Sequence, residues 1–157
     1  MPAERIEFSQ PVHAPLATLW QALTEPRHMA IWMAAPEVQV NVETDWTVGG
    51  PFRITGFHHI PFENRGRVLH CEPLQRLTYS QLSSISRLPD KSENYSIFDF
   101  HLSSEFEVTH LKLVISQFPT ESIYKHLEFY WRVTLHVLAR YVEKLAGAGP
   151  QGAGPVS

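Results

Sequence analysis

The first part of the chain combines one strand pattern with two short helix patterns. Apolar and polar residues alternate from Ile6 to Val12, which is the period of a half-buried strand. Pro15 then occupies a position where a first helical residue loses nothing by lacking an N–H group. Residues 16–24 place their leucines and Trp20 on one helical face, and a second short helix is predicted from Arg27 to Trp32.

From Val38 to Phe118 the pattern changes to strands that are separated by turns. Each predicted strand alternates apolar with polar residues and ends near a proline, a glycine or a polar cluster. The predicted elements are the strands VQVNVET (38–44), PFRIT (51–55), GRVLHCE (66–72) and RLTYSQL (76–82), a turn PFEN (61–64), a polar loop (83–94), and a last hairpin of 95–102 and 108–118 around SSEFE (103–107).

The longest element predicted is a helix over residues 122–145, which contains neither Gly nor Pro. Its apolar residues recur at helical spacing and occupy less than half of the circumference. This face consists of Ile123, Leu127, Tyr130, Trp131, Thr134, Leu135, Val137, Leu138, Tyr141, Val142 and Leu145. Strands joined by short turns pair antiparallel, and the helix must bury its apolar face against their sheet. We therefore expect one α+β domain over 1–146, with a curved sheet that grips the helix and a flexible tail at 147–157.

Composition narrows the classes of partner. The chain has 157 residues with a net charge of −3, so it lacks the basic field that holds a nucleic-acid backbone. The single cysteine, Cys71, excludes an internal disulfide. The N-terminal residues lack the apolar stretch of a secretion signal, and no segment approaches the ~20 apolar residues of a membrane helix. We expect a cytoplasmic protein without a nucleic-acid or membrane partner.

Five segments together resemble a known superfamily. They are VHAPLATLWQALTEP (12–26) followed by Trp32, VGGPFR (48–53), GRVLHCEPLQRLTYS (66–80), THLKLVISQFP (109–119) and the final helix with Trp131. Over about residues 6–145 the chain resembles the START-like helix-grip superfamily (SRPBCC). Within it, the chain is similar to stand-alone homologues of the C-terminal domain of the activator of heat-shock protein 90 ATPase, a family whose name suggests a stress response. It departs from the family in having Tyr130 before Trp131, where Gly is common, and Ile115, where a polar residue or His is common.

The resemblance implies a hydrophobic cavity between the sheet and the long helix. By strand parity, the inward side chains are Phe52, Ile54, Leu69, Cys71, Leu77, Tyr79, Phe98, Phe100, Leu102, Leu111, Leu113 and Ile115. From the helix, Tyr130, Trp131, Thr134 and Leu138 face them, and Trp32 and Trp46 are expected to cover the mouth. These side chains either line a ligand cavity or simply fill a core. The hydroxyls of Tyr79, Tyr130 and Thr134 favour the cavity, since buried hydroxyls need hydrogen-bond partners.

Catalytic and metal-binding patterns are weak. Of the nine histidines, His58 alone shares the inward parity of Phe52, whereas the parity of His101 points to solvent. Asp99 and His101 could form an acid–base pair, but on the outward face. Glu63 is expected to be a solvated turn residue, and Cys71 a core residue. The sequence contains no phosphate-binding loop, GxSxG, HExxH or CxxC motif.

The sequence leaves three functions open. The first is binding of an apolar or aromatic small molecule in the cavity, by Trp32, Trp46, Phe52, Ile54, His58, Tyr79, Phe98, Phe100, Leu113, Ile115, Tyr130, Trp131 and Thr134. The second is an enzyme similar to polyketide cyclases and dehydrases, with His58, Tyr79 or Tyr130 as the acid or base. The third is a chaperone-interacting module. No cofactor or metal is expected, and the chain could be a monomer or a homodimer.

Overall fold

The computed structural model of the chain describes residues 5–147. The predicted tail lies outside the described residues except for Gly147, which is the last residue of the long helix. Within residues 5–147, no helix is both long enough and apolar enough to cross a membrane.

Seven strands form one antiparallel sheet, in the order β1-β7-β6-β5-β4-β3-β2. Their bounds are Arg5–Val12 (β1), Asn41–Glu43 (β2), Pro51–His58 (β3), Ile60–Glu72 (β4), Arg76–Ser83 (β5), Ser96–Glu105 (β6) and Val108–Ser116 (β7). Consecutive strands from β2 to β7 are neighbours, and β1 joins the far edge beside β7. The sheet is therefore a run of hairpins whose open edge is completed by the first strand.

In the part of the chain that the structure describes, three α-helices accompany the sheet. They are Leu16–Thr24 (α1), Pro26–Trp32 (α2) and Glu121–Gly147 (α3). Pro15 precedes α1 in extended conformation, and Pro26 occupies the first turn of α2, where its missing N–H costs no hydrogen bond. The buried residues of α3 are Leu127, Trp131, Thr134, Leu135, Leu138, Ala139 and Val142. The predicted fold, a curved antiparallel sheet gripping a long C-terminal helix behind two short helices, is thus confirmed.

Two predicted boundaries in the β2–β4 region are wrong. The strand predicted over 38–44 is reduced to Asn41–Glu43, because the chain first makes a 3₁₀ turn at Pro36–Val38 and then adopts a left-handed conformation at Gln39. The segment PFEN is not a turn. The reversal occurs at His59, which has a positive φ of 67°, and Glu63 lies within β4 opposite Thr55.

The inward parity predicted for β4 is wrong at Leu69. A β-bulge between Val68 and His70 shifts the register with β5, so that Val68 lies opposite Tyr79 and Cys71 lies opposite Leu77. An extra residue of this kind reverses the side-chain alternation beyond it. Val68 is therefore fully buried, while Leu69 is 43% exposed. Cys71 is half-buried, and this burial raises the pKa of its thiol.

Candidate ligand-binding site

A stack of aromatic rings fills the middle of the space between the sheet and α3. The ring of Tyr79 lies between those of Phe52 and Phe98, with centroid distances of 4.1 Å and 5.4 Å. Trp46 contacts both Phe52 and Tyr79, with centroid distances of 5.5 Å and 6.2 Å. Tyr79, Phe52 and Phe98 are each at most 1% exposed. At this position the predicted cavity lining consists of side chains that contact one another.

Trp131 of α3 completes the stack from the helix side. Its ring contacts Phe100 at 5.7 Å and Phe98 at 5.9 Å. Trp32 packs on Trp131 at 6.1 Å and donates its indole N–H to the carbonyl of Ala22 at 2.8 Å. Trp32 is therefore part of the core rather than a cover at its mouth. The remaining aliphatic residues of the predicted lining, Ile54, Leu113 and Ile115, are also buried.

The interior phenol groups stay protonated. The phenol of Tyr130 donates to the carbonyl of Met33 at 2.6 Å. Burial raises the pKa of Tyr130 to about 12, against a smaller lowering from Thr134. Burial also raises the pKa of Tyr79 far above its ordinary value, and Tyr130 adds to this rise. Because both phenols stay protonated at neutral pH, neither is poised to act as a general base.

The other candidates for acid–base chemistry lie outside this interior. His58 was expected to face the cavity, but it is exposed at the end of β3, beyond the buried part of the strand. Within residues 5–147, no group of three or more His, Cys, Asp or Glu side chains is arranged to hold a metal ion.

Asp99 and His101 form the predicted pair on the convex face of the sheet, 3.0 Å apart. Arg76 donates two hydrogen bonds to the Asp99 carboxylate, at 3.0 Å and 3.1 Å, and Thr78 donates a third at 2.8 Å. Burial opposes ionisation of Asp99, but these donors outweigh it and lower the pKa of the carboxyl. The cluster ties β5 to β6 on the side away from α3.

An open cleft of about 360 Å³ remains where the first turns of α3 leave the sheet. Its floor is Phe98, and two further buried apolar residues, Leu82 and Leu127, line it. The rest of the lining is Asn64, Gln81, Ser83, Ile85, Ser86, Asn94, Ser96, Ser122, Ile123 and His126. The cleft thus continues the aromatic stack outward from Phe98, between β5, β6 and α3.

The loop between β5 and β6 forms one wall of the cleft, and side chains hold it in place. Asp90 in this loop is 3.0 Å from the Arg65 guanidinium and accepts a hydrogen bond from the Tyr95 hydroxyl at 2.5 Å. From the end of β7, Gln117 donates to the carbonyls of Ser92 and Tyr95. Because these contacts connect the loop to β4 and β7, the wall is preformed, as small-molecule sites usually are.

Strand parity could have identified the floor of this cleft and did so only in part. Phe98 was predicted to face inward, and the same alternation, continued along β5 and β6, also places Gln81 and Ser96 on that face, where they pair with each other. Those residues were missed because polar side chains were not counted as lining. Leu82 has the opposite parity and pairs with Arg65 of β4, so alternation does not identify it as part of the lining.

A second depression, of about 410 Å³, lies at the far end of the sheet. It is lined by His13, Ala14, Pro15, Ser104, Glu107 and Thr109. It lies between the β1–α1 connection and the β6–β7 hairpin, and only Ala14 and Thr109 among its residues are buried. It is also more open to solvent than the cleft beside Phe98, which makes it the weaker candidate for a small-molecule site.

The sequence is similar to a known protein family. The model of the family described as "Activator of Hsp90 ATPase homolog 1-like protein" matches residues 13–143. No curated protein matches the sequence.

Solved structures share the fold at low sequence identity. A protein from Chromobacterium violaceum superposes with a TM-score of 0.77 at 22% identity, over 89% of this chain and 97% of that one. A protein from Cytophaga hutchinsonii gives 0.76 at 24% identity, over 94% and 99%. DynU16, from the dynemicin biosynthetic locus, gives 0.68 at 22% identity, over 90% of this chain and 48% of its own.

Proposed function

The chain belongs to the family of activator of Hsp90 ATPase homolog 1-like proteins, and we propose that it binds an apolar or aromatic small molecule between the sheet and α3. The ligand enters the cleft beside α3 and places a ring against Phe98. The residues predicted to line a cavity then have two roles. Phe98 contacts the ligand, while Tyr79, Trp131 and the rest of the aromatic stack hold the Phe98 ring in position.

The observation that carries this proposal is the cleft and its buried apolar floor. Its volume of about 360 Å³ lies within the range of roughly 300–1,000 Å³ that is usual for small-molecule sites. Phe98 is 1% exposed and Leu127 8%, so the apolar part of the lining is already packed on the core and gives a bound ring a rigid contact. Burying apolar ligand surface on this lining gives about 25 cal/mol per Å² of favourable free energy.

Binding, rather than acid–base catalysis, is the function that this geometry favours. His58 is exposed at the end of β3, and the phenols of Tyr79 and Tyr130 are kept protonated by burial. The convex-face carboxylate of Asp99 is held by Arg76, Thr78 and His101. None of these seven residues lines the cleft.

Fluorescence titration with N-phenyl-1-naphthylamine tests the proposal. This uncharged probe becomes brighter in an apolar environment, so we expect saturable enhancement with the wild-type protein. Ser122→Trp should abolish the enhancement, because Ser122 is exposed on the first turn of α3 and lines the cleft, so that a larger side chain fills the cleft without entering the core.

The matched control is Lys125→Trp, one turn further along the exposed side of α3 and outside the lining. It adds the same indole to the same helix and should leave the titration unchanged. Equal titrations of the wild type and Ser122→Trp would refute binding at this cleft, provided that circular dichroism shows the same fold for both proteins.

A further inference from the structure

The concave face of the sheet changes from aromatic to polar side chains at the cleft. Along β5, the inward positions run from Leu77 through Tyr79 to Gln81, and along β6 they run from Phe100 through Phe98 to Ser96. The paired residues Gln81 and Ser96 therefore follow directly on the aromatic pair Tyr79 and Phe98. A ring lying on Phe98 would have one edge next to these polar groups.

Two carboxamides at this edge are free to bind a ligand. Asn64 of β4 lies opposite Ser83 of β5, and both Asn64 and Gln81 line the cleft. The hydroxyls of Ser83, Ser86 and Ser96 and the amide of Asn94 are engaged by backbone groups. By contrast, the carboxamides of Asn64 and Gln81 make no hydrogen bond to any residue in the range 5–147. Each offers an N–H₂ donor and a carbonyl acceptor.

Within residues 5–147, the lining of the cleft carries no permanent charge. Its thirteen residues include no Asp, Glu, Lys or Arg, and His126 on the rim is its one titratable side chain. A charged ligand that leaves water for such a site loses hydration without gaining a counter-charge. A neutral ligand with hydroxyl or carbonyl groups keeps its hydrogen bonds by exchanging water for carboxamides.

We propose that the cleft selects uncharged ring compounds that carry a hydroxyl or carbonyl group at one edge, and that Asn64 and Gln81 are the residues that determine this selection. The inference rests on the proposed function and adds the chemical class of the ligand. The ring packs on Phe98 and Leu127, and its polar edge meets the two carboxamides. A plain hydrocarbon ring has no polar edge for the carboxamides, and a ring carboxylate carries a charge that has no partner in the lining.

Displacement of N-phenyl-1-naphthylamine by three compounds with the same double ring tests this selection. The competitors are naphthalene, 2-naphthol and 2-naphthoate, at pH 8, where imidazole side chains are ordinarily neutral. We expect 2-naphthol to bind about 3- to 10-fold more tightly than naphthalene, which is the size of one or two hydrogen bonds. We expect 2-naphthoate to bind at least about 10-fold more weakly than 2-naphthol, because its charge has no partner in the lining.

The variants Asn64→Leu and Gln81→Leu test whether these two residues determine the preference for 2-naphthol over naphthalene. Each should lower the ratio of 2-naphthol to naphthalene affinity towards 1, by weakening the former and leaving the latter equal or tighter. Gln75→Leu is the matched control, because Gln75 is exposed in the turn at the opposite end of β5 and outside the lining. A general effect of an added leucine would appear in this control as well.

The outcomes separate this inference from the proposed function. If the fluorescent probe and all three competitors fail to bind, the proposed function is wrong and the inference is wrong with it. If they bind to the wild type with equal affinity, or if both leucine variants keep the wild-type ratio, the proposed function stands and the selectivity assigned to Asn64 and Gln81 is wrong.

Discussion

Replacing Phe98 by Ala tests whether the aromatic stack fills the interior and forms the floor of the cleft. Phe98 is 1% exposed, and its ring lies 5.4 Å from that of Tyr79 and 5.9 Å from that of Trp131. Buried Phe→Ala changes cost about 3–5 kcal/mol. The void at Phe98 would join the open cleft and could take up water, so we expect a loss near the lower limit, about 3 kcal/mol. With a urea m-value of about 2 kcal/mol/M, the unfolding midpoint should fall by about 1.5 M.

Phe100→Ala is the matched control for this prediction. Phe100 is fully buried and also contacts Trp131, at 5.7 Å, but it does not line the cleft. Its removal leaves a closed void, so the loss of stability should be larger, about 4–5 kcal/mol. Both variants are measured by urea unfolding followed by circular dichroism, and both are then titrated with N-phenyl-1-naphthylamine.

The two variants should differ in binding as well as in stability. Phe98→Ala deepens the cleft and should change the probe affinity, whereas Phe100→Ala should leave it close to the wild-type value. This prediction is refuted if Phe98→Ala costs less than about 1 kcal/mol, because the ring would then not be packed as part of the core. It is also refuted if Phe100→Ala alters binding as strongly as Phe98→Ala does.

The fold was predictable from the sequence because its main signals are local. Alternation in β5, β6 and β7 depends only on the order of residues, and the residues that it directs inward there, from Leu77 to Ile115, are buried. Leu69 was misplaced because a bulge depends on how two strands pair, which residue order alone does not reveal. The turn at His59 was missed for a similar reason, since the backbone reverses there through a positive φ at a residue that is not Gly.

The candidate site was less predictable than the fold. Parity placed Tyr79, Phe98 and Trp131 in the same interior, but it could not decide whether their rings surround a space or contact one another. That outcome depends on ring volumes and side-chain angles after the elements have packed. The cleft also depends on the position of the loop after Ser83, which Asp90 connects to Arg65 and Tyr95.

Two further predictions concern the sheet. Gly66→Ala should lower the thermal unfolding midpoint by several degrees or more. The added Cβ would lie 1.7 Å from the carbonyl oxygen of Ser80 and would force β4 and β5 apart. An unchanged midpoint would contradict this close approach. Asp99→Asn should destabilise the protein at pH 7 but progressively less below about pH 4. Folding lowers the pKa of the Asp99 carboxyl, so this carboxyl contributes stability above its unfolded pKa and loses that contribution as the pH falls through the folded pKa. Urea midpoints of both proteins from pH 7 to pH 2.5 check this, and a constant difference across that range would contradict it.

The proposed binding of a small molecule takes place where α3 meets the sheet, on the surface formed by Phe98. Its most direct measurement is a ¹H–¹⁵N NMR titration of the wild-type protein with 2-naphthol. We expect saturable shifts of backbone amides concentrated at Gln81, Ser96 and Ser122, with little change at Thr109 in the far depression. Shifts centred on Thr109, or a spectrum that remains unchanged up to saturating 2-naphthol, would contradict it.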